Sequence, residues 1–224
     1  LVVGAIVGRL TNRLEAQTVV AQARAEEAER LRDETARRVD LLEAANRCAR
    51  ALGSSLELEH AFAAFIRELR GLVPFDRTAI VLAEEGVARV IASVGVGAEL
   101  YSPGTFRPIE GSVLDRVLHG QTVYREDMTD AEYPEEEEMA QLGLRARLAA
   151  PLLLGPRAIG MLSVGRRAPA SFTTEEIELT TLLGRLAATA VQNIRAYEAE
   201  RATADELRRL STLRADFVSL VSHE

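Results

Sequence analysis

Apolar positions change period several times along this 224-residue chain. Between Leu10 and Leu52 they follow alternating steps of four and three, through Leu10, Leu14, Ala21, Ala28, Leu31, Leu42, Ala45, Ala49 and Leu52. Gln17, Arg24, Thr35 and Arg38 occupy the same grid, so the seam is weak in its middle. No Pro or Gly lies between Gly8 and Gly53, and the pattern predicts one helix over 10–52. At 1.5 Å per residue it is roughly 65 Å long. Gly53 ends it. Ser54-Ser55-Leu56-Glu57 reads as a capping box with Ser54 as N-cap. A second helix then carries Leu58, Phe62, Phe65, Ile66 and Leu69 on one face and stops near Gly71 and Pro74.

Strand signals follow. Thr78 to Leu82 is rich in β-branched residues, Glu85-Gly86 is a turn, and Val87 to Val94 returns, which predicts a hairpin over 77–94. Residues 95–111 are rich in Gly and Pro around a short Thr105–Ile109 strand. Ser112 opens a short helix to His119, with Asp115 suited to its N-terminal dipole. Thr122 to Arg125 is a short strand, and 126–140 is acidic. Arg147 to Leu154 and Ala158 to Gly165 form a second hairpin about Gly155-Pro156. Thr173-Thr174-Glu175-Glu176 is another capping box, and the helical pattern beyond it meets no Pro before Glu224. Hairpins between flanking helices predict an α+β domain on an antiparallel sheet.

Apolar residues at 47% and charged residues at 27% are ordinary globular values. With a net charge of −7 nothing favours nucleic acid, which requires a basic face. Cys48 is the only cysteine, which rules out an intrachain disulfide and a cysteine-rich zinc site; it reads as a small core or seam residue. The run Glu135 to Glu138 lacks the alternating ligands of a calcium loop, so it reads as a solvated helix start. Residues 1–8 are apolar and uncharged, with Arg9 and Arg13 after them. A truncated membrane span, a signal-peptide remnant and an apolar helix start all fit that run. A signal peptide carries its basic residues ahead of the apolar run. The order found here favours the cytoplasmic end of a span, with residues 1–9 as its last turns.

In order and spacing, several short pieces over 50–196 resemble a GAF domain. They are Leu52-Gly53-Ser54-Ser55-Leu56, Val73-Pro74-Phe75-Asp76-Arg77, Gly111-Ser112-Val113-Leu114, Gly143-Leu144-Arg145, Ala150-Pro151-Leu152, Ile159-Gly160-Met161-Leu162 and Ser171-Phe172-Thr173. The resemblance implies a six-stranded antiparallel sheet, helices on one side forming a dimer bundle, and a ligand pocket on the other. Phe75 suits the hairpin base, Pro151 an edge or bulge, and Gly160 a close backbone approach. Nothing around His60 or His119 supports haem ligation, and Cys48 precedes the domain, which argues against bilin attachment. The cyclic-nucleotide signature of the family is not apparent.

Arg214-Ala215-Asp216-Phe217-Val218-Ser219-Leu220-Val221-Ser222-His223-Glu224 resembles the phosphoacceptor helix of sensor histidine kinases. That resemblance assigns His223 as phosphoacceptor and Glu224 as the residue that orients its ring or acts as general base. It implies ATP and Mg in a separate ATP-binding domain, a response-regulator receiver domain as partner, and a homodimer through parallel helices. The GAF ligand is unspecified. The resulting expectation is the end of a transmembrane helix at 1–9, a signalling helix at 10–52, a GAF domain at 53–196, and a linker helix with the start of the phosphoacceptor domain at 197–224. The parent protein is expected in the inner membrane, with the GAF domain cytoplasmic. A non-enzymatic ligand-binding and dimerisation module feeding another output, such as a cyclase or phosphatase, is the alternative. Leu179, Leu183, Leu186, Ala190 and Ile194 form one stripe, expected to be the dimer seam.

Overall fold

The computed structural model describes the backbone of residues 2–222 and the side chains of residues 22 and 24–213. It divides into two compact units, residues 1–44 and 45–224. Unit 1 is helical throughout its described residues and belongs to α1 (Val2–Leu52). Its Leu31, Val39, Leu41 and Leu42 are exposed. The Thr35 hydroxyl donates back to the Leu31 carbonyl at 2.7 Å, and Arg38 pairs with Glu34 one turn away.

Unit 2 is built on a six-stranded sheet. After the last turns of α1 come α2 (Leu58–Leu72), β1 (Arg77–Glu84), β2 (Val87–Gly95), β3 (Phe106–Pro108), α3 (Val113–Leu118), β4 (Val123–Arg125), α4 (Pro134–Gln141), β5 (Ala146–Leu154), β6 (Arg157–Arg166) and α5 (Thr174–Ser222). The strands run β3-β2-β1-β6-β5-β4, each pair antiparallel. The α+β antiparallel architecture is the one that the hairpin signals predict. Glu85 and Gly86 both take positive φ, which suits the tight β1–β2 turn.

Successive strand residues point to opposite faces, so the sheet separates two cores. On one face Ile80, Leu82, Leu148, Leu152, Leu162 and Val164 pack with Phe62, Phe65 and Leu69 of α2, Cys48 and Leu52 of α1, and Leu183, Ala187 and Val191 of α5. The register slips between Ile80 and Val81, and both Ile91 and Ala92 enter this core. On the other face Ala79, Val81, Ala88, Val90, Ala149 and Met161 are covered by α3, α4 and loops through Leu114, Met128, Tyr133 and Met139. Cys48 is fully buried, as a core residue should be, and burial pushes its thiol up to about 11 with help from Glu68.

Individual expectations meet their geometry here. The register of β5 slips between Pro151 and Leu153. β4 pairs only with Arg147 to Ala149, so Pro151 lies beyond it and its missing N–H leaves no partner unserved. A Cβ at Gly160 would sit 2.2 Å from the Val81 carbonyl oxygen, so only glycine admits the β1–β6 approach. The second capping box forms in full: the Thr173 N–H donates to Glu176 Oε2 at 3.0 Å, and the Glu176 N–H to Thr173 Oγ1 at 3.2 Å.

Three expectations are corrected. Ser54 does not cap α2. Its hydroxyl donates backward to the Ala51 carbonyl at 2.6 Å, which serves the open end of α1, and α2 starts only after Glu57. The stripe Leu179, Leu183, Leu186, Ala190 and Ile194 is not a free dimer seam. Leu183 and Ile194 are buried in the chain's own core and the other three are half-buried against it, because α5 lies on β5. The inner-membrane placement is the third: among the described residues no helix is long and apolar enough to cross a membrane. The apolar opening of α1 runs without a break into Arg9, Arg13 and Glu15, so charge enters the same helix after about two turns.

Candidate functional site: a cavity over the arginine-bearing face

The strand register sets arginines in one row across the loop-covered face. Arg77 on β1 lies opposite Gly95 on β2 and Gly165 on β6; Gly165 faces Arg147 on β5, and Arg147 faces Arg125 on β4. The next row reads Ser93, Ala79, Ser163, Ala149 and Val123. Above these rows is a cavity of about 230 Å³. Ala79, Val81, Val90 and Met161 form its apolar floor, and Leu114 and Met139 close it from α3 and α4. Arg77, Arg147 and Ser163 supply polar groups from the sheet; Tyr101, Glu135 and Glu138 supply them from above. Arg107 and Glu110 line its exposed edge.

Arg147 is 2% exposed. Its Nε donates to Ser163 Oγ and its Nη1 to Glu135 Oε1, each at 3.2 Å. The same Glu135 oxygen accepts the Val113 N–H at 2.9 Å, so one carboxylate neutralises Arg147 and serves an open donor at the start of α3. Glu138 Oε2 accepts the Tyr101 hydroxyl at 2.6 Å and lies 3.7 Å from Arg107. Burial, reinforced by that hydrogen bond, pushes the Tyr101 phenol up to about 12. The Tyr101 ring also meets two guanidinium groups, Arg77 at 4.6 Å and Arg107 at 4.9 Å. Glu136, fully buried, lies 3.4 Å from Arg125 and accepts the Glu132 N–H at 2.9 Å.

The run Glu135 to Glu138 is therefore not a solvated helix start. Three of its four carboxylates serve arginines, backbone donors or a buried phenol, because α4 lies over the arginine row.

Arg77 is the exception in this arrangement. It is 4% exposed, and its Nη1 donates to the Val96 carbonyl at 2.7 Å. Among the described residues no carboxylate lies within ion-pairing distance of it. Burial lowers its pKa first of all; Tyr101 and Glu99 act the other way, and Arg147 adds repulsion. An arginine nonetheless stays protonated at neutral pH.

Sequence reasoning missed Arg77, Arg147, Tyr101 and Ser163 as site residues. The signal was present in part: Arg77 and Arg147 each sit in phase with alanines two residues on, inside otherwise apolar strands. The two other histidines stay outside the site. His60 is exposed and pairs with Glu57, and His119 is exposed with its Nδ1 2.8 Å from the Asp115 carbonyl. His223 and Glu224 lie outside the described residues.

Residues 57–191 match the profile of the GAF domain family. No curated protein matches the chain. Among solved structures, a domain of a two-component sensor histidine kinase protein from Sinorhizobium meliloti 1021 superposes with a TM-score of 0.54 at 25% identity, over 64% of this chain and 97% of that one. The GAF domain of a two-component sensor histidine kinase from Bacillus halodurans gives 0.55 at 24% identity, over 61% and 95%. The GAF domain of a phosphoenolpyruvate-protein phosphotransferase from Coxiella burnetii gives 0.63 at 16% identity, over 72% and 98%. The last two likenesses speak to fold alone.

Proposed function

The chain belongs to the GAF domain family, and we propose that it is the sensory and dimerisation part of a two-component sensor histidine kinase, relaying occupancy of the cavity to phosphorylation at His223. The observation that carries this reading is the continuity of α5. One 49-residue helix starts at the capping box of Thr173, packs on β5, and continues to Ser222. Its sequence from Arg214 onward is the part that resembles a phosphoacceptor helix.

The coupling has a physical route. A Cβ at Gly184 would lie 2.6 Å from the Pro151 carbonyl oxygen, so α5 rests directly on the bulged part of β5. The Thr122 and Thr181 hydroxyls are 3.1 Å apart, which ties the start of β4 to the same helix. Arg147 and Ala149, on the cavity side of β5, move with that strand. Beyond the core, Leu207, Leu210 and Leu213 of α5 are exposed, and they suit a parallel helix pair between two copies. The GAF module binds and transmits; the phosphotransfer chemistry belongs to the kinase around it. There the His223 imidazole attacks the γ-phosphorus of ATP as the bond to ADP breaks, and Glu224 accepts a hydrogen bond that orients the ring. ATP with Mg comes from the ATP-binding domain, and a receiver domain takes the phosphoryl group onward.

The test is phosphorylation of the full-length protein with labelled ATP. His223→Gln abolishes the acid-labile label, and Glu224→Ala slows its appearance by about 10²-fold or more. Label that persists in the His223 variant overturns the reading and leaves a GAF module serving another output.

A further inference from the structure

Within the arginine row one guanidinium, that of Arg77, has no carboxylate partner among the described residues. Three guanidinium groups, Arg77, Arg147 and Arg125, face two carboxylates that are buried or nearly so, Glu135 and Glu136. Glu135 serves Arg147 and Glu136 serves Arg125; the second acid beside Arg125, Glu132, is largely exposed. Arg77 is left with a carbonyl and the face of a tyrosine. A buried charge without a counter-charge is costly, and this one stands on the wall of a cavity. The other acids near it are engaged or in water: Glu138 holds Tyr101 and Arg107, while Glu99 and Glu110 are exposed.

From this we infer that the cavity takes a small organic monocarboxylate, its carboxylate paired with Arg77 and its apolar remainder against Val81, Val90, Leu114 and Met161. The inference rests on the sensory reading above and deepens it. Three features select the class. One uncompensated cation calls for one negative charge, not the two of a phosphate monoester. A guanidinium presents parallel N–H donors that match the two oxygens of a carboxylate. The cavity's 230 Å³ is about eight water volumes, and most of its lining is apolar, so it fits a short hydrocarbon tail or a single ring.

The experiment is calorimetric titration and thermal melting of the 224-residue chain with 3-methylbutanoate and benzoate, against their neutral amides and inorganic phosphate. A carboxylate should bind with one-to-one stoichiometry and raise the melting temperature, and its amide should bind at least tenfold more weakly. Arg77→Met should lose the carboxylate and Arg77→Lys should weaken it. Should Arg77→Met fail to fold by circular dichroism, Ala79→Leu provides the second variant: it fills the floor, keeps Arg77 and should also lose binding. Equal binding of acid and amide, binding of phosphate alone, unchanged affinity in the folded Arg77→Met or Ala79→Leu protein, or no response to either carboxylate overturns the inference. Labelling of His223 in full-length protein, with and without carboxylate, is read separately. Its failure under both conditions sinks the kinase reading and leaves the binding result standing.

Discussion

On the helix-packed face of the sheet, Ile80, Leu82, Leu148, Leu152 and Leu162 meet α2 and α5 in a layer that is almost wholly apolar. On the opposite face of the same strands, Arg77, Arg147 and Ser163 line a cavity beneath short helices and loops. Both faces are buried, and they are held by different forces. The first gains from apolar area removed from water and from close packing, which tolerates no void. The second confines charge, so its stability depends on each charged group having its partner. A face of the first kind is rigid and well suited to anchoring a signalling helix. A face of the second kind, with one guanidinium left over, is suited to receiving a ligand.

The largest separation between the faces should appear on truncating the helix side. Phe65 is fully buried and meets Phe62 edge to face at 6.3 Å. Phe65→Ala should cost about 3–5 kcal/mol in urea unfolding, while carboxylate affinity of the protein that remains folded stays unchanged. A loss below about 1 kcal/mol would show that this face is loosely packed and break the contrast.

On the cavity side, single and double replacements should differ in a way that helix-face residues do not. Arg147→Met strands Glu135 and should destabilise by about 3 kcal/mol. Adding Glu135→Gln should recover much of that, because Gln keeps an acceptor for the Val113 N–H and removes the stranded charge. The exposed pair Arg208–Asp205 serves as reference, and Arg208→Ala should change stability by less than about 1 kcal/mol. If the two Arg147 variants are equally unstable, charge balance is not what holds this face.

The smallest effect concerns the start of α5. Burial alone would raise the Glu176 carboxyl, but hydrogen bonds from Arg166 and from the Thr173 N–H hold it below the ordinary carboxylate range. A depressed folded-state pKa contributes stability that is present above the unfolded value of about 4.3 and is lost as pH falls through the folded one. The melting-temperature gap between wild type and Glu176→Gln should therefore be a few degrees at pH 7 and shrink toward pH 3. A gap that is constant with pH would assign the contribution to shape and not to charge.

How much of this was legible differs by element. The hairpin over 77–94, the bulge at Pro151 and the capping box at Thr173 rest on local rules: strand alternation, a missing N–H, and a side chain within reach of a helix end. Each could be read from a handful of neighbouring residues. The Ser54 box failed because the open carbonyls of α1 competed for the same hydroxyl. The stripe through Leu183 and Ile194 was correctly read as apolar, but these two side chains enter the chain's own core, since a helical stripe does not say which surface covers it. The cavity was the least legible. Arg77 and Arg147 are 70 positions apart in sequence and become near neighbours only through Gly165 of a third strand. The run Glu135 to Glu138 looked like a solvated face until α4 was seen to lie over the arginines.

By itself, then, the sequence determined most of the elements and their order, because these depend on period, caps and turns within short windows, and its motif pieces carried the family resemblance. The tertiary structure alone decided which arginine is neutralised, which is not, and what the acidic run is for. Charge balance in a buried site is a sum over groups far apart in the chain, and only the register of the strands shows which of them share a term.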